Sequence, residues 1–76
     1  MKTLTYRILL QPEPEGGFTV FVPSLAGCVT YGETVDEAIQ NAREAIAGCL
    51  ETYREKGIDI SDDSRTLEYS LSMEVA

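Results

Sequence analysis

Acidic side chains are the groups of this sequence best suited to chemistry. The 76 residues include 13 Asp plus Glu, 6 Lys plus Arg and no His, for a net charge of −7. Carboxylates that converge from neighbouring strands can hold the two metal ions of a nuclease. Glu68 and Glu74 lie in one strand-like segment, but roughly 20 Å of strand separates them, so they cannot share an ion. With no histidine as a general base, we predict no catalytic residue and no enzyme.

Two further groups of residues could bind metal or carry redox chemistry. Asp59, Asp62 and Asp63 could chelate calcium, but their spacing lacks the glycine and the distal glutamate of a calcium loop, which favours a solvated loop. Cys28 and Cys49 are not spaced as a C-x-x-C redox pair and, without histidine, are too few for structural zinc. We therefore expect reduced cysteines, no metal and no cofactor.

The charge balance indicates the class of partner. A net charge of −7 opposes binding to nucleic acid, where affinity comes largely from basic side chains, so direct nucleic-acid binding is not expected. The same charge favours steered association with a basic protein, although it can also serve only to keep the surface solvated. The sequence shows no signal-peptide pattern and no apolar run long enough to span a membrane, which predicts a cytoplasmic protein.

Three short strands are expected to come first in the chain. Thr3–Gln11 alternates with a two-residue period, and the proline- and glycine-rich residues 12–17 then reverse the chain. Phe18–Val22 is a second predicted strand, and Cys28–Tyr31 is a third. Short turns between consecutive strands favour antiparallel pairing, so the sequence predicts a three-stranded antiparallel meander.

One long helix and a fourth strand are expected to follow. Thr34-Val35-Asp36-Glu37 has the form of a capping box, and apolar residues recur at steps of three and four from about Val35 to Lys56. Leu67–Val75 alternates again, and a helical crossover can return it beside the first strand and parallel to it. The predicted fold is α+β, in the order β-β-β-α-β, with sheet order 3-2-1-4 and a single domain over residues 1–76.

Several consecutive motifs resemble the signature of the HicB family of antitoxins. They are Gly17-Phe18-Thr19-Val20, the stretch VPSLAGCVTYGET that begins at Val22, Glu37-Ala38, and NAREAI that begins at Asn41. The resemblance covers roughly residues 1–60. Nine residues carry it: Gly17, Phe18, Pro23, Gly27, Cys28, Gly32, Thr34, Glu37 and Ala38.

The resemblance implies a partial RNase H-like fold and the neutralising half of a type II toxin–antitoxin pair. The family's partner is HicA, a small basic ribonuclease that cleaves messenger RNA. Many family members continue into a C-terminal DNA-binding domain, which we do not expect here after the fourth strand. Residues 58–64 also depart from the Pro-x-Pro-Ser-like segment that often follows the helix in the family.

Two surface features are candidates for partner or dimer contacts. If the helix covers one face of the sheet, Leu9 and Phe21 form an apolar pair on the other face, although isolated exposed hydrophobic residues are also normal in monomers. Glu13 and Glu15 lie in the first hairpin, where they could meet basic toxin residues or simply be solvated. Because a chain this small builds only a modest core, we also expect a homodimer or higher oligomer.

Three classes of function stay open at this point. The favoured one is an antitoxin that binds and neutralises a small basic HicA-type toxin through protein–protein contact. The alternative is a stand-alone homo-oligomeric regulatory or binding module without a toxin partner. A metal-dependent RNase H-like nuclease ranks third, because the carboxylates do not converge.

Overall fold

The computed structural model describes residues 2–76 and contains three strands and one helix. The strands are β1 (Leu9–Pro12), β2 (Phe18–Phe21) and β3 (Val29–Gly32), and the helix is α1 (Val35–Glu55). The strands form an antiparallel sheet in the order β1-β2-β3. The predicted meander, the helix and the α+β class are therefore confirmed.

Glycine-containing turns bring the strands together. In the first hairpin, the Glu13 N–H donates to the Gly17 carbonyl at 3.0 Å, and the Gly16 N–H donates back to Glu13 at 3.0 Å. Gly16 and Gly17 have φ angles of 105° and 80°, a region that residues with a Cβ rarely adopt. The second connection closes where the Val22 N–H donates to the Cys28 carbonyl at 3.1 Å. Local turn chemistry thus sets the pairing of all three strands.

The register determines which edge of the sheet each backbone group faces. Leu9 pairs with Phe21, and the hydrogen bond from Glu13 to Gly17 continues the same odd-numbered series. Because successive residues of a strand point their N–H and C=O groups to opposite edges, the odd-numbered residues of β1 face β2. Even-numbered residues such as Leu10 face the outer edge, where residues 2–76 provide no partner strand.

The helix begins at the predicted capping box. The Thr34 hydroxyl accepts a hydrogen bond from the Glu37 N–H at 3.1 Å, and the Glu37 carboxylate accepts one from the Glu33 N–H at 3.1 Å. Two backbone donors at the helix start are therefore satisfied by side chains. The helix ends at Glu55, one residue before the predicted end, and Lys56 is its C-cap.

The core lies between α1 and one face of the sheet. It consists of two clusters, of which the first contains Val20, Ala38 and Ala42, with Phe18 packed against it, and the second contains Val22, Leu25 and Cys28. The helix approaches closest at Gly32, where an added Cβ would stand 2.8 Å from the Ala38 Cβ and closer still to the Ala38 backbone. Small residues at this contact allow the helix to lie directly on the sheet.

The paired parts of the strands differ from the predicted bounds. The first strand, predicted over Thr3–Gln11, is paired only over Leu9–Pro12, because β2 ends at Phe21 and cannot accompany it further. The second and third strands differ from the prediction by one residue at their ends. Within residues 2–76, no helix combines the length and hydrophobicity of a membrane span.

The predicted fourth strand is not paired with any strand of residues 2–76. Residues 67–75, here called the unpaired segment, have no strand partner among residues 2–76, and the sheet order is β1-β2-β3 rather than 3-2-1-4. Its apolar side chains are 78% to 94% exposed: Leu67, Tyr69, Leu71, Met73 and Val75. The radius of gyration, 14.4 Å, exceeds the roughly 11 Å of a compact domain of this length because this segment projects from the body.

Candidate protein-binding surface

An apolar stripe crosses the sheet face that α1 does not cover. Leu9 pairs with Phe21, and Phe21 pairs with Val29, so three exposed side chains lie side by side across the three strands. The alternation of side chains places them opposite the buried Val20. The register thus brings the predicted pair, Leu9 and Phe21, together. It also adds Val29, because the sequence alternation alone does not show that Val29 lies opposite Phe21.

An acidic hollow lies beside this stripe, at the first hairpin. Its volume is about 650 Å³, and its lining consists of Glu13, Pro14, Glu15, Gly16, Tyr31 and Glu33. Both hairpin glutamates singled out in the sequence therefore share one surface with Glu33, which was not predicted. The Thr19 hydroxyl donates to the Glu13 carboxylate at 2.6 Å and holds one of the three carboxylates in place.

Tyr31 connects the acidic hollow with the apolar stripe. It lies two residues from Val29 on the same face of β3, and its hydroxyl donates to the Gly16 carbonyl at 3.0 Å. Partial desolvation, followed by the nearby charges of Glu33 and other glutamates, raises the pKa of Tyr31. Its hydroxyl is therefore neutral at physiological pH, and the carboxylates around it favour the approach of a Lys or Arg side chain.

The residues that carry the family resemblance serve the fold more than this surface. Pro23 and Gly27 lie in the turn between β2 and β3, and Gly27 has a φ of 76°. None of these nine residues lines the hollow, but Gly17 follows Gly16, which does, and lies beneath the ring of Tyr31. An added Cβ at Gly17 would overlap the phenol of Tyr31, so the Tyr31 ring can occupy this position only because residue 17 is a glycine.

The two cysteines are free thiols in the core region. Cys28 is buried in the second core cluster, and Cys49 of α1 packs against that cluster. Burial, together with the neighbouring Cys49 thiol, raises the pKa of Cys28 to about 11. Since the thiolate is the reactive form of cysteine, Cys28 is a poor nucleophile at neutral pH.

Asp62 and Asp63 take the place of a partner strand beside residues 5–7. The Asp63 carboxylate accepts hydrogen bonds from the Arg7 N–H at 2.9 Å and from the Ser24 hydroxyl, and the Asp63 N–H donates to the Thr5 carbonyl at 2.7 Å. Asp62 accepts from the Thr5 N–H at 2.9 Å. Asp63 is only 3% exposed, so the expectation of a solvated loop is wrong for this residue.

These hydrogen bonds lower the pKa of both carboxyl groups. The Arg7 N–H, followed by the Ser24 hydroxyl, lowers the pKa of Asp63. The Thr5 N–H, followed by the Ser64 hydroxyl, lowers the pKa of Asp62. Within residues 2–76, no three His, Cys, Asp or Glu side chains are grouped so as to hold a metal ion. Both aspartates accept hydrogen bonds from backbone N–H groups and from serine hydroxyls of the chain.

Comparison with protein-family models gives one family for almost the whole chain. Residues 6–74 match the model described as HicB_like antitoxin of bacterial toxin-antitoxin system. A UPF0150 protein of Thermoplasma acidophilum is 33% identical over 61 residues, which cover 80% of this chain and 88% of that protein. A UPF0150 protein of Synechocystis is 47% identical over 47 residues, which cover 62% of this chain and 60% of that protein.

Named antitoxins and a solved structure are also similar to this chain. Antitoxin HicB of Escherichia coli K12 is 36% identical over 52 residues, which cover 68% of this chain but only 38% of that antitoxin. The crystal structure of the N-terminal domain of the Burkholderia pseudomallei antitoxin HicB matches with a TM-score of 0.64 and 35% identity. That match covers 90% of this chain and 72% of the other.

Proposed function

The chain belongs to the HicB-like antitoxins of bacterial toxin–antitoxin systems, and on that premise we propose that it neutralises a small basic HicA-type toxin by direct contact. The observation that carries the proposal is the apolar stripe of Leu9, Phe21 and Val29 with the acidic hollow at its border. Together they form one continuous surface on the open face of the sheet.

This surface has the composition of a protein-binding site. Interfaces typically combine an apolar centre, in which aromatic residues contribute most of the affinity, with a polar rim. Phe21 lies at the centre of the stripe, between Leu9 and Val29. Glu13 and Glu15 supply a negative rim that complements a basic partner.

The negative charge of the hollow also suggests how binding would inhibit the ribonuclease activity of the toxin. A ribonuclease holds RNA largely through basic side chains that contact phosphates. We propose that the carboxylates of the hollow pair with those same side chains, so that RNA and antitoxin compete for one surface of the toxin. We place this competition in the cytoplasm, where messenger RNA is translated, and assign the chain a binding role rather than a catalytic one.

Co-expression tests the proposal directly. The chain carries an affinity tag, and the product of the adjacent gene is expressed with it and without it. We expect a stoichiometric complex with a small basic protein that arrests growth when expressed alone and is harmless in the complex. Recovery of this chain alone, beside a harmless neighbour, would contradict the proposal and favour a stand-alone regulatory module.

A charge placed in the stripe tests the surface. Phe21→Glu should weaken toxin binding by roughly 30-fold or more, because a central aromatic residue is lost and a charge must be desolvated. Ile58→Glu is the matched control, since Ile58 is 46% exposed, close to the 40% of Phe21, but lies beyond the helix. Equal binding by the two variants, measured by calorimetry with circular dichroism as the folding check, would exclude the stripe.

A further inference from the structure

The unpaired segment has the alternating pattern of a strand but joins no sheet among residues 2–76 of its own chain. Leu67, Tyr69, Leu71, Met73 and Val75 alternate with Glu68, Ser70, Ser72 and Glu74. Such alternation is typical of a strand with one face buried, yet all five apolar side chains are almost fully exposed. A continuous apolar row of this kind marks an interaction surface.

The outer edge of the sheet, beside β1 and its continuation, is open to such a strand. Residues 4–8 continue β1, and their even-numbered members direct N–H and C=O groups to the outer edge of the sheet. Among residues 2–76, no hydrogen bond to the backbone of Tyr6 or Ile8 occurs at this edge. An open edge of this length is a template for pairing with another strand.

A groove beside this edge would receive the apolar face of the added strand. α1 packs mainly on β3 and β2, which leaves a space of about 510 Å³ between the helix and the continuation of β1. Apolar residues dominate its lining, which consists of Leu4, Thr5, Tyr6, Ile8, Ile39, Ala42, Arg43, Ile46, Ala47 and Leu50. The open edge of β1 can therefore pair with the free backbone of the unpaired segment, and the groove can receive its apolar side chains.

The connection keeps the segment away from this place in its own copy. Asp62 and Asp63 bind the N–H groups of Thr5 and Arg7, which are odd-numbered and face the side of β2. The chain then turns, since the Thr66 N–H donates to the Asp63 carbonyl at 3.0 Å. The Arg7 guanidinium, on the sheet face opposite the helix, holds the Thr66 carbonyl at 2.6 Å. To reach the outer edge and the groove, the segment would have to cross over the continuation of β1.

We propose that the unpaired segment of one copy adds to the outer edge of β1 in a second copy, and that two copies exchange these segments reciprocally. Leu67, Leu71 and the other apolar side chains then fill the partner's groove. Glu68, whose carboxylate pairs with the Arg7 guanidinium of its own copy at 3.7 Å, and Glu74 lie on the opposite side of the added strand. A reciprocal exchange closes a two-fold dimer, because each copy gives one segment and receives one. The sheet of each half thereby gains the fourth strand that the sequence predicts beside the first.

The size of this contact suits a stable dimer. Each copy contributes the nine residues of the segment and the ten that line the groove, close to the roughly 20 residues per side of a standard interface. The exchange uses the helix side of the molecule, whereas the apolar stripe and the acidic hollow lie on the opposite face. The dimer therefore does not depend on the proposed toxin contact, and the two can be tested separately.

Mixed isotope labelling of the full chain tests the exchange. A sample prepared from unfolded and refolded equal parts of ¹³C-labelled and unlabelled chain is examined by isotope-filtered NMR. We expect a particle of twice the monomer mass and cross-copy contacts from the methyl groups of Leu71 and Met73 to Ile46 and Ile8. A monomer, contacts only within one copy, or contacts only between the two segments would each overturn the proposal.

Two neighbouring substitutions distinguish the exchange from general effects of charge. Leu71→Glu puts a carboxylate into the apolar row and should weaken the dimer by roughly tenfold or more. Ser70→Glu adds the same charge on the polar side and should leave the dimer unchanged. Neither residue belongs to a core cluster, so both variants should keep the fold. Equal dimer affinity of the two variants in sedimentation velocity would contradict the exchange, whatever the result with a toxin.

Discussion

Asp63 joins three parts of the chain that are far apart in sequence. Its carboxylate binds the Arg7 N–H and the Ser24 hydroxyl, and its own N–H binds the Thr5 carbonyl. A buried carboxylate is costly unless it is hydrogen-bonded, and the bonds of Asp63 also satisfy the Arg7 N–H and the Thr5 carbonyl. One residue thereby holds the first strand, the turn after β2 and the chain beyond the helix together.

Replacing the Asp63 carboxylate by an amide should destabilise the fold. Asp63→Asn removes the charge that strengthens these hydrogen bonds and turns one of the two acceptor oxygens into a donor, and we expect a loss of about 1–3 kcal/mol in the free energy of unfolding at pH 7. Urea denaturation measures this loss. Asp59→Asn is the control, because Asp59 is exposed and makes none of these bonds.

The same substitution should remove part of the acid sensitivity. The pKa of Asp63 is lower in the folded state than its ordinary value of 3.8, so the unfolded chain binds more protons in this range and stability rises with pH there. The contribution is fully present above about pH 5 and is lost as the pH falls through the lowered pKa. A stability difference between wild type and Asp63→Asn that stays constant from pH 7 to pH 2 would contradict this role.

At the level of elements, the sequence predicts what local chemistry determines. The helix follows from its capping box and its apolar periodicity, and the meander follows from alternation and glycine turns. The neighbours of residues 5–7 and of residues 67–75 depend on contacts between distant parts of the chain, such as those of Asp63, that no local pattern encodes. The alternation predicts a strand over Leu67–Val75 that lies beside the first strand, but within residues 2–76 this segment is not paired there.

Two glycines make the contact between helix and sheet testable. Gly32→Ala would drive a Cβ into the backbone of Ala38, and we expect it to destabilise the protein by about 1–3 kcal/mol. Gly48→Ala adds the same atom to an exposed helical position with no atom within 4 Å, and should stabilise it by up to about 1 kcal/mol. Thermal unfolding of both variants measures the difference. A Gly32→Ala variant as stable as wild type would show that α1 does not lie this close to β3.

At the scale of the whole molecule, the two proposed contacts use opposite sides of one thin domain. The apolar stripe and the acidic hollow lie on the open face of the sheet, and the groove for a second copy lies on the helix side. A dimer built by strand exchange therefore leaves two toxin-binding faces open. If both proposals hold, a complex of two antitoxin chains with two toxins is the expected stoichiometry.

Electrostatic attraction also acts at the scale of the whole molecule and should influence the rate of association with the toxin. At an ionic strength of about 0.1 M, charges act over roughly 10 Å, so local carboxylates matter more than the net charge of −7. We expect the double variant Glu13→Gln/Glu15→Gln to lower the association rate with the basic partner severalfold at low salt.

The matched control is Glu51→Gln/Glu55→Gln, which removes the same charge from the exposed side of α1. Stopped-flow measurements between about 0.05 and 1 M salt compare the two, and their rates should converge at high salt, where screening shortens the interaction to roughly 3 Å. Equal slowing by both variants would mean that the net charge, and not the hollow beside Tyr31, attracts the toxin. A slower rate for the hairpin variant alone would place the first encounter at the hollow.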